Sequence, residues 1–435
     1  MGLTKSPYRG TRDFFPKEMR TRQYIFKKME EVSELYGYEP YDGPLLEEVE
    51  LYRAKSGEEL INEQIYSFTD RGNREVAIRP EMTPSLARMV AQIHREVPKP
   101  IRMFSIPNLM RYEKPQRGRL REFWQYNADI FGAGQFGEAE IIQMAVSLLR
   151  SFGATHEHFE VLINDRRFVD LVFEGLISLD DVSTKKLYKL VDAKNKMPSD
   201  KFSSEVKNIT NDEAKAVIFE RFVQLNTIDD IKSFIADFYH SKTAAPVSVN
   251  DNVAPLYSIF KTLEDLGLGD YVKFDPSIVR GLDYYTGIVF EIFDKSPENR
   301  RAIAGGGSYA NLLQIFNEPS LEGVGIGLGE VPLTDFLTTH HLLPDFSKAK
   351  LEYLVAYLVP EAEKCASELA SKLRSKNHKT ELFFGEAKPK KIFSYSEKKN
   401  ISKICFIGEE ELKNNEVRIK DLINKTESIV KIKDI

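Results

Sequence analysis

Two cysteines, Cys365 and Cys405, are the only thiols in 435 residues. That is too few for a disulfide framework and fits a reducing compartment. No stretch approaches the ~20 consecutive apolar residues that span a bilayer. The opening MGLTKSPYRGTRDFF also lacks the apolar run of an export signal. A Met-Gly start with Ser6 matches the letters of a myristoylation signal, but no other membrane signal accompanies it. The expectation is a cytoplasmic chain with no membrane partner. The seven histidines stand nowhere at zinc-ligand spacing with the cysteines, the pairs His156/His158 and His340/His341 included, so no metal site built by the protein is expected. A net charge of −5 excludes a uniformly basic nucleic-acid coat and leaves room for local basic patches. Internal repeats and low-complexity tracts are absent as well.

Hydrophobic residues make up 42% of the chain, enough for two or three cored domains at this length. Ile25, Phe26, Met29, Val32 and Leu35/Tyr36 recur at helical spacing over residues 17–36, and Gly37 follows as a stop. Residues 101–131 read as two strands around a loop, and 138–152 as a helix. From 165 to 265 apolar residues keep helical spacing among many lysines, aspartates and serines, which predicts a mainly helical insertion. Strand texture returns in SIVRGLDYYTGIVFEIF and in GVGIGLG, with the glycine-rich IAGGGSYANLL between them. The domain reading is therefore a core over 1–164 and 266–333, the insertion over 165–265, a linker over 334–350 and a small α/β domain over 351–435. In that last part LEYLVAYLV, TELFF and KICFIG read as strands alternating with two helices, the pattern of a mixed sheet.

Four stretches carry chemistry. RYEKPQRGRLREFW, Arg111 to Trp124, crowds guanidinium groups into a hairpin followed by aromatics. Planar, parallel donors suit a polyphosphate or an RNA backbone. Taken alone, an idle salt-bridged hairpin explains them more cheaply. RGLDYYTGIVFE places Arg280, Asp283, Tyr284 and Tyr285 where apolar alternation should continue. On a strand the two tyrosines point to opposite sides, so one of them lines a given pocket. GVGIGLG, Gly323 to Gly329, makes one apolar face and one bare face, open either to a flat ligand or to close packing of the protein itself. In AIRPEMTPSLARMV, Glu81 and Thr83 lie between two prolines. A carboxylate there suits an ammonium group, whereas Thr83 reads more cheaply as a helix N-cap before Pro84.

The order of these stretches resolves them. YRGTRDFFP, YSFTDRGNREVAIRPEMTP, RYEKPQRGRLREFWQ, RGLDYYTGIVFE and the tail element IGEEELKNNEVRIKDL together resemble the histidyl-tRNA synthetase family of class II aminoacyl-tRNA synthetases, over nearly the whole length. RGLDYYTG is the most specific element. The resemblance implies an α+β chain: an antiparallel-sheet catalytic domain with a helical insertion, then an α/β anticodon-binding domain. It implies ATP-dependent attachment of histidine to tRNA(His) through histidyl-adenylate, with Mg²⁺ sharing the phosphate charge, and a homodimer paired through the first long helix and the strand after it, roughly residues 17–46. Arg111 would grip the α-phosphate, Glu113 would accept from the adenine amino group, Phe123 would stack on the base and Arg119 would reach the outer phosphates. Glu81, Thr83 and Gln125 would hold the α-ammonium. Asp129 and Tyr285, in the signature shared with Tyr284, would address the imidazole nitrogens. Arg280 would bridge the carboxylate and the α-phosphate.

Three departures from the family pattern stand out. GLGEV puts Glu330 where the family carries an arginine for the γ-phosphate, leaving Arg119 as a candidate for that load. Ser308 and Ala310 replace a charged pair, and Asp129 stands where many members have Glu. These departures keep open an alternative, a non-catalytic regulatory relative that binds histidine. Such relatives tend to lose both RGLDYY and the anticodon-binding domain, and this chain has both.

Overall fold

A computed structural model describes residues 3–54, 60–194, 197–239, 249–279, 285–346, 351–385 and 388–435. The chain divides into two compact units, Met1–Leu343 and Pro344–Ile435.

The first unit is organised by one long helix and one large sheet. Pro16 opens helix α1 (Pro16–Leu35), where its missing N–H costs nothing, and Gly37, at φ +75°, lets the chain leave it. The predicted i, i+4, i+7 stripe is buried as Ile25, Met29 and Val32. It packs into the same core as helix α4 (Gln135–Ser151), so the apolar face of α1 is buried within the chain itself. Each such side chain stabilises by about 1.5–3 kcal/mol. Between these helices lie strands β1 (Glu39–Pro40), β2 (Leu46–Glu48), β3 (Tyr66–Thr69) and β4 (Glu75–Ile78), and helices α2 (Val49–Arg53) and α3 (Thr83–Ile93). The region 101–131 folds as β5 (Ile101–Ser105), β6 (Asn108–Met110) and the ten-residue β7 (Glu122–Phe131). The incoming run is thus split at Ile106–Pro107, because Pro107 cannot donate to a ladder. Four more strands lie beyond the β8 segment: β8 (Phe159–Asp165) is followed by β9 (Val272–Phe274), β10 (Ile288–Asp294), β11 (Ala304–Tyr309) and β12 (Gly323–Gly329).

The large sheet has the order β1-β5-β7-β12-β11-β10-β8-β9, with β6 on the front end of β7. It is antiparallel except for the β1–β5 and β8–β9 pairs. One face carries Tyr126, Ala128, Ile130, Val324, Ile326 and Leu328 into the core under α1 and α4. The opposite face carries Phe123, Gln125, Asn127 and Asp129 of β7, by the period of two. At the far end of that face α3 contributes Leu86, Ala87 and Val90 to a smaller cluster with Ile101, Phe131 and Tyr309. Strands β2, β4 and β3 form a separate small sheet.

Three readings need correction. The glycine-rich AGGGSY is not a separator: it is β11, a central strand whose missing side chains make room for Phe290 and Tyr285. Among the described residues of SIVRGLDYYTGIVFEIF, β10 is the strand, and Tyr285 to Gly287 precede it without strand pairing. The stretch read as a linker begins as helix, Glu330–Thr339. The insertion is helical among its described residues, with helices such as Ser199–Thr210 and Glu213–Phe222 burying Phe202, Val206, Phe219 and Phe222.

In the second unit the order is β14-β13-β15-β16-β17, built from β13 (Tyr353–Tyr357), β14 (Thr380–Leu382), β15 (Lys403–Ile407), β16 (Glu416–Asp421) and β17 (Thr426–Lys431). The first three pair in parallel and the last two antiparallel, the mixed sheet expected. The hairpin β16–β17 has no counterpart in the sequence reading. Its residues alternate lysines and glutamates with isolated apolar side chains and look like charged surface.

Candidate active site

Strand β7 is the spine of the site. Phe123, Gln125, Asn127 and Asp129 project from one face, spanning about 20 Å at the usual strand rise. Gly323, Gly325 and Gly327 of β12 stand beside Phe131, Asp129 and Asn127 in the ladder, and Gly329 beside Gln125. The bare face of GVGIGLG is filled by the protein's own side chains. A Cβ on Gly325 would overlap the Asp129 carboxylate, and one on Gly327 would overlap the Gln125 amide. Close packing, one of the two readings left open, is what the glycines serve, and in doing so they set the site's polar groups in place. Gly325→Ala is expected to push Asp129 out of position and cost about 1–3 kcal/mol, read as a lowered denaturation midpoint.

Asp129 is 3% exposed. Its Oδ1 accepts a 2.6 Å hydrogen bond from the Tyr309 hydroxyl. Burial pushes its carboxyl up to about 7, against the Tyr309 hydrogen bond, which pulls it down. Tyr309 went unnoticed in the sequence because it lies 180 residues from its partner; only the β7–β12–β11 ladder brings them together. Tyr285 shares the cluster of Tyr309 and rests against Gly307, so a tyrosine of the RGLDYYTG signature does reach this end of the face. Arg280 and Tyr284 lie outside the described residues. Gln125 donates to Asn127 Oδ1 at 2.8 Å, and Asn127 Nδ2 returns a 3.0 Å bond to the Gln125 carbonyl. Asn127 therefore orients Gln125, a role the sequence did not signal.

Glu81 is buried, and its loop is fixed by Arg79. The 5% exposed Arg79 guanidinium donates to Asn108 O, Asp42 Oδ1 and Gly43 O at 2.7–2.9 Å. Thr83 does not cap α3: the helix starts at Thr83 itself, with Met82 as the N-cap residue and no side-chain cap.

The arginines of the hairpin divide their work. Arg111 Nε donates to Pro80 O at 2.8 Å and its guanidinium lies 5.5 Å over the Phe123 ring, at the cleft. Arg119 is outside β7, bridged through its backbone to Gln116, and it ion-pairs with the buried Glu113. Arg121 is turned to the periphery instead, stacked 4.0 Å over Tyr112 with Nη1 on the Tyr8 hydroxyl. Arg117 reaches Asn299 and Thr339. Of the hairpin arginines, Arg111 thus lies beside Phe123 of the β7 face, and Arg119 is held by Glu113.

Glu330 is matched by a partner invisible in sequence. Arg12 holds its carboxylate through two contacts of 2.6 and 3.3 Å, and Glu330 is 3% exposed. Arg12 lies over Phe14, whose ring meets Trp124 edge-on, on the sheet face opposite Gln125 and Asp129. The reversed charge at this position therefore leaves the cleft and is neutralised behind it. Arg12→Ala is expected to cost about 3–5 kcal/mol by stranding a buried carboxylate, whereas the double change Arg12→Met/Glu330→Met should cost far less. Thermal unfolding of both variants distinguishes the two. Ser308 is likewise turned to the back face, donating at 2.5 Å to Glu138, whose carboxyl burial pushes up to about 7. The nearby Arg167 guanidinium, paired with buried Asp165, supplies the positive charge on that side. Among the described residues no group of three His, Cys, Asp or Glu could hold a metal, and no helix is long and apolar enough to cross a membrane.

Comparison with known proteins places this arrangement. A family profile described as histidyl-tRNA synthetase matches residues 10–329, and one described as an anticodon binding domain matches residues 352–435. The chain is 42% identical to a histidine–tRNA ligase of Leptospira biflexa, over 99% of this chain and 98% of the relative. It is 34% identical to the chloroplastic/mitochondrial histidine–tRNA ligase of Arabidopsis thaliana, over 99% of this chain and 86% of that one. The fold matches the crystal structure of histidyl-tRNA synthetase from a Nostoc species at a TM-score of 0.81, covering 100% of both chains at 22% identity. With a profile match over residues 10–329 and 42% identity to a histidine–tRNA ligase over nearly the whole chain, the chain belongs to the histidyl-tRNA synthetase family.

Proposed function

We propose that this chain charges tRNA(His) with histidine at the expense of ATP, by way of histidyl-adenylate, and that the β7 face is where activation occurs. The observation that carries the site reading is the buried Asp129 carboxylate with its tyrosines at one end of a strand whose other end holds Arg111 over Phe123. In this reading Phe123 stacks on adenine and Glu113 accepts from its amino group. Arg111 grips the α-phosphate, and Arg119 leaves Glu113 for the outer phosphates. Glu81, Thr83 and Gln125 hold the α-ammonium, while Asp129 and Tyr285 take the imidazole. Arg280 and Tyr284 are assigned by resemblance alone, Arg280 to the carboxylate and α-phosphate.

The histidine carboxylate attacks the α-phosphorus and pyrophosphate leaves. The terminal ribose hydroxyl of tRNA then attacks the activated carbonyl, and AMP leaves. The protein's part is to align the attacking oxygen and to hold fixed cations where negative charge gathers. Mg²⁺ would enter with ATP and spread the charge of the phosphates. Bound with the substrate phosphates, such an ion would need few oxygens from the protein.

The remaining assignments have narrower support. The 351–435 domain would read the anticodon loop, whose unstacked bases are accessible. The division into a core over 1–164 and 266–333 and an insertion over 165–265 follows chain texture. A homodimer is supported by the exposed Leu45, Leu46 and Phe68 on and beside the small sheet, since the stripe of α1 is already buried. A cytoplasmic home accords with the scarcity of cysteine.

ATP–pyrophosphate exchange across the twenty amino acids tests the reading. Histidine-dependent exchange supports it, as does charging of tRNA(His). Histidine binding without exchange would favour the regulatory alternative.

A further inference from the structure

The end of the RGLDYYTG signature is held from the back of the sheet by a residue that none of the four chemical stretches contains. Strand β8 ends at Asp165, which stands in the ladder beside Ile288, the first residue of β10. The short helix α5 (Arg166–Asp170) starts there, and Asp165 caps it by accepting from the Arg167 N–H at 2.8 Å. The Arg167 side chain then turns back onto the same carboxylate, Nε donating to Oδ1 at 2.9 Å and Nη2 to Oδ2 at 2.6 Å. Asp165 is fully buried, so this two-pronged ion pair has a fixed plane. Burial works against the charge on Arg167, and the Asp165, Glu138 and Glu322 carboxylates outweigh it.

Capping α5 needs only the Asp165 carboxylate. The fork does something further, because the guanidinium it fixes lies against the backbone of Gly287. A Cβ built on Gly287 would stand 3.4 Å from Arg167 Nη2 and 3.2 Å from the Ser308 Cβ. Gly287 is not among the glycines with positive φ, so closeness is what this position demands. Residues 285–287 have no strand pairing, yet they are tied on both sides. The Arg166 N–H donates to Gly287 O at 2.9 Å, and the Thr286 N–H donates to Ser308 O at 2.8 Å. Tyr285, two residues before Gly287, rests against Gly307 on the site's face of β11.

We propose that Arg167 is a positioning residue for the signature segment: its guanidinium, fixed by Asp165, is the stop against which Gly287 rests, and it thereby sets where Tyr285 stands over Gly307. Arg167 touches no substrate. It acts through the backbone of 285–287 from the opposite side of the sheet. The inference rests on the signature serving histidine activation, and it adds to that reading a residue at the start of the chain stretch that follows β8.

Two variants read the contact from its two sides. Arg167→Lys keeps a cation for Asp165 and loses the planar fork. Gly287→Ala keeps the fork and drives a methyl group against it. In each, kcat/KM for histidine in ATP–pyrophosphate exchange should fall about 10- to 100-fold, with the ATP KM within about twofold of wild type, since Arg111, Glu113 and Phe123 stand on other elements. Hydrogen exchange of the free protein should show the Thr286 amide opening about tenfold faster, with the β7 amides unchanged. Unaltered histidine kinetics in both variants would overturn the proposal. So would equal losses toward histidine and ATP with a lowered melting temperature, the mark of general loosening. If Arg167→Lys does not fold, Gly287→Ala decides alone. Failure of the wild-type protein to exchange with histidine would instead sink the proposed function. Hydrogen exchange would still read the contact in that case, an unchanged Thr286 rate overturning the role given to Arg167.

Discussion

Asp129→Asn should lower kcat/KM for histidine by about a hundred- to a thousandfold in pyrophosphate exchange while leaving the ATP KM near its wild-type value. Asparagine fills the same volume over Gly325 and can still accept from Tyr309, so packing is retained and the loss isolates the charge. A charge-assisted hydrogen bond is roughly twice as strong as a neutral one. A ring N–H that meets an amide group also risks facing a donor instead of an acceptor, and sites built around a specific polar match penalise a mismatch heavily. A loss below tenfold would remove Asp129 from the imidazole site.

The same variant has a pH signature. The Asp129 carboxyl titrates at about 7 in the folded chain against an ordinary 3.8. Below about 7 it takes up a proton and ceases to be an anionic acceptor, so the wild-type kcat/KM for histidine should fall on the acid side of that value. In Asp129→Asn this limb should vanish, leaving only the titration of the substrate. Stability moves the other way. The folded state holds this proton more tightly than the unfolded state, so the group's contribution to stability declines as pH rises from about 4 to about 7. Asp129→Asn should therefore gain melting temperature over wild type at pH 8 and little at pH 4. Loss of histidine use together with gained alkaline stability is a pairing that a merely structural carboxylate would not produce.

Arg111→Ala should reduce kcat/KM for ATP by about 10²–10³-fold, with calorimetric histidine affinity within a factor of two or three of wild type. One fixed donor aimed at developing charge in a desolvated site is worth that much. Arg111 is fixed on two sides, by Pro80 O at 2.8 Å and by the Phe123 ring at 5.5 Å. The planar guanidinium can keep Nε on Pro80 while its Nη groups face phosphate. An ammonium offers no such division, so Arg111→Lys should recover little. An Arg111→Ala variant with near-normal exchange would show that the phosphate load falls on other cations, with Arg119 the first to examine by the same assay.

Much of this arrangement is legible in the chain because it repeats locally. Ile25, Met29 and Val32 show a helix and its buried stripe at once, since 3.6 residues per turn place them on one side whatever they pack against. The alternation of EFWQYNADIF likewise sorts Phe123, Gln125 and Asp129 from Trp124, Tyr126 and Ala128. GVGIGLG announces a face without side chains. The family motifs added roles to these positions.

Partnership across distance was not legible. Arg12 and Glu330 are 318 residues apart, and each looks like a surface charge until the β12 end and the segment before α1 meet. The bare glycine face admitted either a ligand or the protein's own groups; the β7–β12 register decided for Gln125 and Asp129. AGGGSY looked like a break because glycine weakens an isolated strand, yet between β10 and β12 its missing side chains are what let Phe290 and Tyr285 fit.

Sequence alone therefore determined the strongly periodic helices and strands, which side of each is apolar, and to which family the motifs point, but not β11 or the β16–β17 hairpin. These follow from covalent geometry and side-chain type, which act over a few residues. Tertiary structure alone decided where each charge is neutralised and which hydroxyl faces which carboxylate. Those depend on ladder register and burial, through which residues hundreds of positions apart come to share one desolvated volume.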